Sequence, residues 1–435
     1  MGAQRRTRVG RVASPSSDPI GTNWAGNHSY RAARLVRPAS VGELCEVVAG
    51  STAVRALGSR HSFSDLADTT GTLVDLAGLP RDIRVLHDAS GSGAVASVSG
   101  GTRYGDLAVA LEEQGWALGA MASLPHISVA GAVATGTHGS GDGTGSLAAA
   151  VRAVEVVGAD GELRRVARGD EELDGSVVAL GALGIVTRLE VDVEPTYAVT
   201  QQVRTGLTWD VLESRFDDIT GAAYSVSIFT RFGDGVEQLW LKDRVGEERS
   251  ADRFGTVAAT GVVHMLSGGA LQAVTEQGGV AGPWMDRLPH FRMAFTPSSG
   301  EELQTEYFVA RPHALEAIDR LRRLSPRFLA LLQVAEIRTV ARDDLWLSGA
   351  QGRDTVALHF TWVRDEPAVR RVVLEIEEVL VPLGARPHWG KVFEMGADAI
   401  AEAFPRLGDF VGLRDRVDPD RVFGNAFLDR VLGGR

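Results

Sequence analysis

The chain of 435 residues exceeds the size of most single hydrophobic cores, so we expect two or three packed units. Its 44% hydrophobic and 23% charged residues are ordinary for a globular protein in water. The formal net charge of -11 argues against a nucleic-acid partner and an anionic membrane, because both require clustered Lys and Arg. A single cysteine, Cys45, excludes an internal disulfide and cysteine-cluster metal sites, and we expect no metal.

The composition of the N-terminal region predicts neither a targeting segment nor a membrane segment. Residues 1–20 are rich in Arg, Ser and Pro and predict a disordered tail. No apolar run reaches the roughly 18 residues of a membrane-spanning helix, and no apolar stretch follows the basic start. We therefore expect a cytoplasmic protein.

The region before residue 200 alternates short strands and helices. Apolar runs predict strands at residues 54–57, 72–74 and 94–99, and residues 104–111 have the periodicity of a helix. Residues 151–157 and 162–167 flank an Ala-Asp-Gly turn and predict a hairpin.

The pattern changes near residue 200, where glycine becomes rarer and the elements become longer. The sequence predicts strands at 224–230, 236–242, 333–340 and 355–363, and a charged helix at 366–381. The last forty residues return to short, turn-rich segments. We place a domain boundary near residue 200.

Two glycine-rich segments are candidates for ligand binding. Leu57 to Asp65 puts His61 among small residues after a predicted strand, although a lone loop histidine is more often structural. In Met121 to Gly141 nearly every side chain is small, which lets backbone N–H groups approach a pyrophosphate, unless the segment is simply a tightly packed loop. His126 and His138 lack the spacing of a zinc site, and we interpret them as neutral histidines.

These segments, together with Gly181 to Gly184, resemble the vanillyl-alcohol-oxidase family of flavoproteins. Residues 23–27, 336–338, 359–362, 387–391 and 425–427 are similar, more narrowly, to its bacterial alditol-oxidase branch, and the resemblance covers nearly the whole chain. It implies an α/β (α+β) fold with a discontinuous, two-lobed FAD-binding domain at residues 21–200 and 397–435. An α+β cap domain with an antiparallel sheet would lie between them, at residues 201–396.

The resemblance also implies one FAD per chain, bonded covalently through His61. Arg60 departs from the family pattern, since a glycine is common at that position, and this puts the efficiency of flavin attachment in doubt. The other cofactor-binding residues that the resemblance implies are Gly58, Ser59, Arg60, Ser62, Ser123, Ser128, Gly131, Thr135, Gly136, Thr137, His138, Gly139, Gly184, Val186 and Asn425.

The two strands near the end of the predicted cap carry a polar face. Alternation places Glu336 and Arg338 on one side of the first strand, and His359 and Thr361 on one side of the second. The pattern alone favours a face in contact with solvent. The resemblance implies instead that this face covers the flavin.

The resemblance implies a small polyol such as xylitol or sorbitol as the substrate. A ligand that offers only hydroxyls needs a site with paired donors and acceptors. Ser123, Glu336, Arg338, Thr361 and Lys391 are the expected contacts. Lys391 and Arg338 would stabilise developing negative charge, and His359 is a candidate base or supporting residue. The resemblance thus implies an alditol oxidase that transfers a hydride to flavin and electrons to O2, and that acts as a monomer.

Two alternatives stay open. A sugar-lactone oxidase or dehydrogenase would share the fold and the pairing of Glu336 with Arg338. A non-catalytic flavin- or ligand-binding protein would use the glycine-rich loops alone.

Overall fold

The computed structural model describes residues 20–87, 93–247, 249–250, 252–295 and 300–434. The predicted tail at residues 1–20 lies, except for its last residue, outside these ranges. Among the described residues, no helix combines the length and the apolar character that crossing a membrane requires.

The first sheet along the chain is small and parallel. Strand β2 pairs with β3, which pairs with β1, and the loop between β2 and β3 carries His61. Ser40 caps the first helix by accepting from the backbone N–H of Glu43, and the Glu43 carboxylate accepts from the backbone N–H of Ala39, the residue before the cap. The elements are β1 (Arg34–Val36), α1 (Val41–Ala49), β2 (Val54–Leu57) and β3 (Thr72–Asp75).

An antiparallel sheet follows, in the order β4-β5-β9-β7-β8, with β6 paired to β9. The predicted strand at 94–99, the helix at 104–111 and the hairpin at 151–167 are confirmed, to within a residue at each end. The elements are β4 (Ile83–His87), β5 (Ala94–Ser99), α2 (Tyr104–Glu112), β6 (Trp116–Ala117), α3 (Val129–Ala134), β7 (Val151–Val157), β8 (Leu163–Ala167), α4 (Leu173–Ser176) and β9 (Ile185–Pro195).

The largest sheet, which we call the cap sheet, has the order β13-β10-β12-β11-β16-β17-β15-β18, with β14 paired to β10. Its pairings are antiparallel. The elements are β10 (Ala198–Thr205), α5 (Trp209–Ser214), α6 (Phe216–Thr220), β11 (Ser225–Thr230), β12 (Gln238–Arg244), β13 (Val257–Ala258), β14 (Gly282–Pro283), β15 (Glu302–Ala310), α7 (Ala314–Leu324), β16 (Leu332–Val340), β17 (Thr355–Val363), α8 (Glu366–Leu380) and β18 (Arg386–Pro387).

Strands β16 and β17, in the middle of the cap sheet, are buried on both faces. On one face of β17, Phe360 and Trp362 stack at 5.2 Å between ring centroids, and Phe328 packs edge-on against both. The opposite face carries His359 and Thr361, which are 7% and 6% exposed. The expectation from pattern alone, a polar face in contact with solvent, is wrong, because another part of the protein covers these strands.

The C-terminal segment returns to the N-terminal part of the molecule. The backbone N–H of Val54 donates to Val422 at 2.8 Å, and Asn425 donates to carbonyls in the loop that follows β2. This connection is the one that a discontinuous FAD domain requires. The last forty residues are more helical than the sequence suggested, with α9 (Ala397–Ala403), α10 (Leu407–Val417) and α11 (Ala426–Leu432).

Candidate active site

A cavity of about 590 Å³ lies between the loop after β2, the small-residue segment around α3 and the polar face of the cap sheet. Ligand pockets of this size hold molecules as large as cofactors. The two predicted groups of site residues, although far apart in sequence, therefore line one space.

Most of the residues that the resemblance assigned to the cofactor line this cavity. They are Gly58, Ser59, Arg60, His61, Ser62, Ser123, Ser128, Gly131, Thr135, Thr137, His138, Gly184 and Val186.

Three of the predicted cofactor residues do not line it. Gly136 adopts a φ of +68°, where glycine avoids the strain of a side chain. Gly139 lies against backbone, since an added Cβ would be 2.8 Å from the carbonyl oxygen of Met121. Asn425 caps α11 and binds the loop carbonyls of Leu66 and Asp68, so its side chain is fully used in holding the chain together.

At one wall of the cavity, glycine residues bring neighbouring backbone segments into close contact. A Cβ at Gly100 would lie 2.4 Å from the carbonyl oxygen of Val186, and one at Gly184 would lie 2.7 Å from that of Val157. Gly184 also has a φ of +144°. Side chains are excluded here, which leaves a wall that a flat or phosphate-bearing ligand can approach closely.

His61 has an environment suited to bonding a ligand. Burial lowers its pKa to about 4, so the imidazole is neutral at physiological pH. Trp24 stacks on it at 5.4 Å between ring centroids. Its Nδ1 is buried and makes no hydrogen bond within the described residues. A neutral ring with an unpartnered buried nitrogen fits covalent flavin attachment, and the cavity as a whole fits FAD.

Arg60 lies beside His61 but directs its guanidinium elsewhere. It donates to the carbonyls of Ile20 at 2.7 Å and Thr22 at 3.3 Å, and it lies over the Tyr30 ring at 5.4 Å. Its φ of +64° is the left-handed conformation that glycine adopts without strain. The geometry thus explains why a glycine is suitable at this position, and shows that the arginine holds the start of the described chain.

A buried carboxylate that the sequence analysis did not identify, Glu306 on β15, lies at the centre of the cavity roof. Lys391 Nζ is 2.6 Å from it, Arg338 Nη2 is 2.6 Å from it, and His138 Nε2 is 3.2 Å from it. Burial opposes its ionisation, but these neighbours hold its pKa well below the usual range. The group is therefore an anion that balances the two predicted catalytic cations.

Lys391 also orients His359. Its ammonium lies 2.6 Å from His359 Nδ1, and because an ammonium can only donate, Nδ1 must accept. The ring proton is then on Nε2, which lies 3.1 Å from the Thr361 hydroxyl. Burial lowers the pKa of His359 to about 4. Both ring nitrogens are used within this chain of hydrogen bonds.

The remaining predicted substrate residues lie at the same place. Arg338 Nη1 is 3.4 Å from the Ser123 hydroxyl, and its Nε is 3.6 Å from Glu336. Glu336 accepts from His290 at 2.8 Å, and its pKa is lowered because Arg338 and His290 outweigh the effect of burial. Carboxylates, cations and hydroxyls thus converge on one surface, which can recognise a ligand rich in hydroxyl groups.

The comparisons with known proteins agree with this geometry. The chain is 47% identical to an alditol oxidase from Streptomyces over 95% of its own length and 99% of the relative's. The chain belongs to the vanillyl-alcohol-oxidase family of FAD-binding flavoproteins. It is also 30% identical to an L-gulono-1,4-lactone dehydrogenase from Mycobacterium tuberculosis, with the same coverage of both chains.

Two family descriptions and one solved structure complete the comparison. An FAD binding domain matches residues 32–167, and a D-arabinono-1,4-lactone oxidase domain matches residues 301–431. A crystal structure of cholesterol oxidase from B. sterolicum has the same fold, with a TM-score of 0.78 at 14% identity over 98% of this chain and all of that one.

The predicted fold class and the prediction of an FAD-dependent oxidoreductase are therefore confirmed. The alternative of a non-catalytic binding protein is not favoured. The roles of the individual site residues and the boundaries at residues 200 and 396 stay predictions.

Proposed function

We propose that the protein is an alditol oxidase, which oxidises the terminal CH–OH of a small polyol such as xylitol or sorbitol to the aldose and reduces O2 to H2O2. The observation that carries the proposal is the buried polar cluster of the cap sheet. This cluster occurs in a chain that is 47% identical to a Streptomyces alditol oxidase over 95% of its length.

The cluster offers a polyol a matching set of partners. Glu336 is an acceptor, Arg338 and Lys391 are donors, and the hydroxyls of Ser123 and Thr361 can be either. Because these groups are buried, a ligand that lacks hydroxyls would leave their remaining hydrogen-bonding capacity unused and shielded from water, which disfavours apolar substrates.

FAD, when bound, would supply the hydride acceptor and the route for electrons to O2. The chain's own residues hold the polyol with its terminal carbon facing the cofactor. Lys391 and Arg338 supply positive charge where negative charge develops. His359 keeps its Nδ1 engaged by Lys391, which supports a role in positioning that lysine rather than in taking the proton.

The attachment of FAD through His61 is part of the proposal. The neutral imidazole, its unpartnered Nδ1 and its place in the cavity lining support it. The 47% identity to an alditol oxidase supports oxygen as the electron acceptor, and the small side chains of Ala122 and Ser123, which also line the cavity, permit access of O2. A monomeric, cytoplasmic protein is proposed as well; light scattering of the purified protein tests the oligomeric state.

A sugar-lactone oxidoreductase is the second candidate. The match of residues 301–431 to the D-arabinono-1,4-lactone oxidase domain and the 30% identity to an L-gulono-1,4-lactone dehydrogenase favour it. A lactone would meet the same polar cluster.

Oxygen consumption separates the two candidates. Purified protein is supplied with xylitol, sorbitol or L-gulono-1,4-lactone in air, and peroxide is measured in parallel. We expect equimolar O2 uptake and peroxide formation with the alditols. Turnover of the lactone with none of the alditols would assign the protein to the lactone branch.

A further inference from the structure

Lys242, on β12, is a buried lysine that the proposed mechanism does not use. It is 1% exposed and its ammonium has three acceptors: the carbonyls of Leu288 at 2.5 Å and Pro289 at 3.1 Å, and His290 Nδ1 at 3.2 Å. Burial lowers the pKa of Lys242 to about 7, and the three polar partners offset part of the cost of burying its charge.

The contact with Glu336 determines which nitrogen of His290 carries the proton. Nε2 is 2.8 Å from Glu336 Oε1, and because the pKa of Glu336 is lowered this group is a carboxylate, which can only accept. Burial lowers the pKa of His290 to about 4, so the ring is neutral, its one proton lies on Nε2, and Nδ1 accepts from Lys242. A linear series of hydrogen bonds therefore runs from Lys242 through His290 to Glu336.

The other carboxylate oxygen of Glu336 stays available. Its nearest ionic neighbour is Arg338 Nε at 3.6 Å, beyond good hydrogen-bond distance. Glu336 lines the cavity, so this oxygen can accept from a hydroxyl of a bound ligand.

The segment that carries His290 also supports Ser123. The backbone N–H groups of His290 and Phe291 both donate to the Ser123 carbonyl, at 3.1 and 3.2 Å. Thr275 fastens the same segment through its hydroxyl, which donates to the Pro289 carbonyl at 2.8 Å. Lys242 therefore anchors a segment that touches two of the proposed substrate residues.

We infer that Lys242 and His290 are positioning residues for polyol oxidation, which orient Glu336 as a carboxylate acceptor and hold Ser123 at the cavity wall. This inference rests on the proposed function. It assigns a role to two residues that do not belong to the predicted substrate or flavin contacts.

The acid limb of the pH profile reports this role. Glu336 faces Arg338 on its own strand, His290 from the neighbouring segment, His359 from β17, Lys242 from β12, and Lys391 from the segment after β18. Removing the N–H of His290 raises the pKa of Glu336, since one of the groups that favours the charged form is lost. Activity then falls at a higher pH on acidification, because a protonated Glu336 is a poorer acceptor.

Paired variants of His290 test the inference. His290→Leu removes the donor, whereas His290→Gln keeps an N–H near the Nε2 position; His313→Gln, at a half-exposed surface histidine, is the control. We expect KM for xylitol to rise roughly tenfold or more in His290→Leu, with a smaller fall in kcat and an acid limb moved to higher pH. His290→Gln should recover most of both. Equal losses in the two variants, with an unchanged pH profile, would overturn the inference.

A measurement without substrate keeps the test independent of the proposed function. Nitrogen NMR of protein labelled at histidine distinguishes protonated from unprotonated Nδ1, and the His290→Gln spectrum assigns the signal. We expect unprotonated Nδ1 in the native protein, and a changed Nδ1 chemical shift in Lys242→Met, because the donor to Nδ1 is lost while the contact of Nε2 with Glu336 remains. A proton on Nδ1 in the native protein would refute the series of hydrogen bonds from Lys242 to Glu336. A flavin spectrum of the native protein that xylitol leaves unchanged would refute the proposed function alone.

Discussion

Replacing Glu306 by glutamine removes the anion that lies between Lys391 and Arg338. The carboxylate is fully enclosed, and each cation is 2.6 Å from it. Glutamine has nearly the same shape, so the change tests charge rather than volume. It leaves two buried cations with only a neutral amide between them.

The expected loss of stability is large. Breaking a buried ion pair by removing one partner costs about 3–5 kcal/mol, and we expect the lower end because the amide oxygen still accepts one hydrogen bond. A whole protein is stable by only about 5–15 kcal/mol, so the change should shift the unfolding transition clearly.

Urea unfolding followed by tryptophan fluorescence measures this loss. Glu375→Gln is the matched control, since Glu375 forms a two-bonded pair with Arg327 at 2.8 Å on the surface, where solvent screens the charges. We expect the Glu306 variant to lose far more stability than the control. Equal midpoints in the two variants would refute the role of Glu306 as the central counter-ion.

Four further results are expected. Lys391→Met should keep its flavin but slow flavin reduction by xylitol about a hundredfold, as seen by stopped flow; a native rate would exclude the electrostatic role. His61→Ala should release its flavin on acid precipitation, and flavin retained in the pellet would show that another residue bonds it. The free energy of unfolding should be roughly 1 kcal/mol higher for Arg60→Gly than for Arg60→Ala, because only glycine adopts the φ of +64° without strain. Burial lowers the pKa of His290 and His359 in the folded protein to about 4, whereas in the unfolded chain a histidine has its ordinary pKa of about 6.5. Between these two pH values the unfolded chain therefore binds more protons than the folded protein. Stability should therefore fall as pH drops from about 6.5 toward 4, and a flat profile would contradict this.

Local patterns were sufficient to predict much of the fold. Alternation in β16 and β17 placed Glu336 with Arg338 and His359 with Thr361, and the structure puts all four in the cavity lining. These predictions succeed because successive side chains of a strand point to opposite faces of the sheet, and this alternation depends on the backbone alone.

Glu306 was missed although its sequence carried a signal. In β15, alternation puts Glu302, Gln304 and Glu306 on one face, and all three line the cavity. The strand was not predicted. Lys242 and His290 carried no such signal, because the segments that bring them together are 48 residues apart and meet only in the folded chain.

The burial of the polar face also needed the tertiary structure. A strand with one polar side looks the same whether that side meets water or a second layer of protein. The difference depends on the small-residue segment around α3, which lies opposite the cap sheet and contributes Ser123 and His138 to the same cavity.

The visible spectrum of the purified protein tests the central claim most directly. It is recorded without oxygen, before and after the addition of xylitol, and again after air is admitted. We predict that xylitol bleaches the long-wavelength band of the oxidised flavin and that air restores it with formation of peroxide. A flavin band that xylitol and sorbitol both leave unchanged would contradict the assignment of the protein as an alditol oxidase.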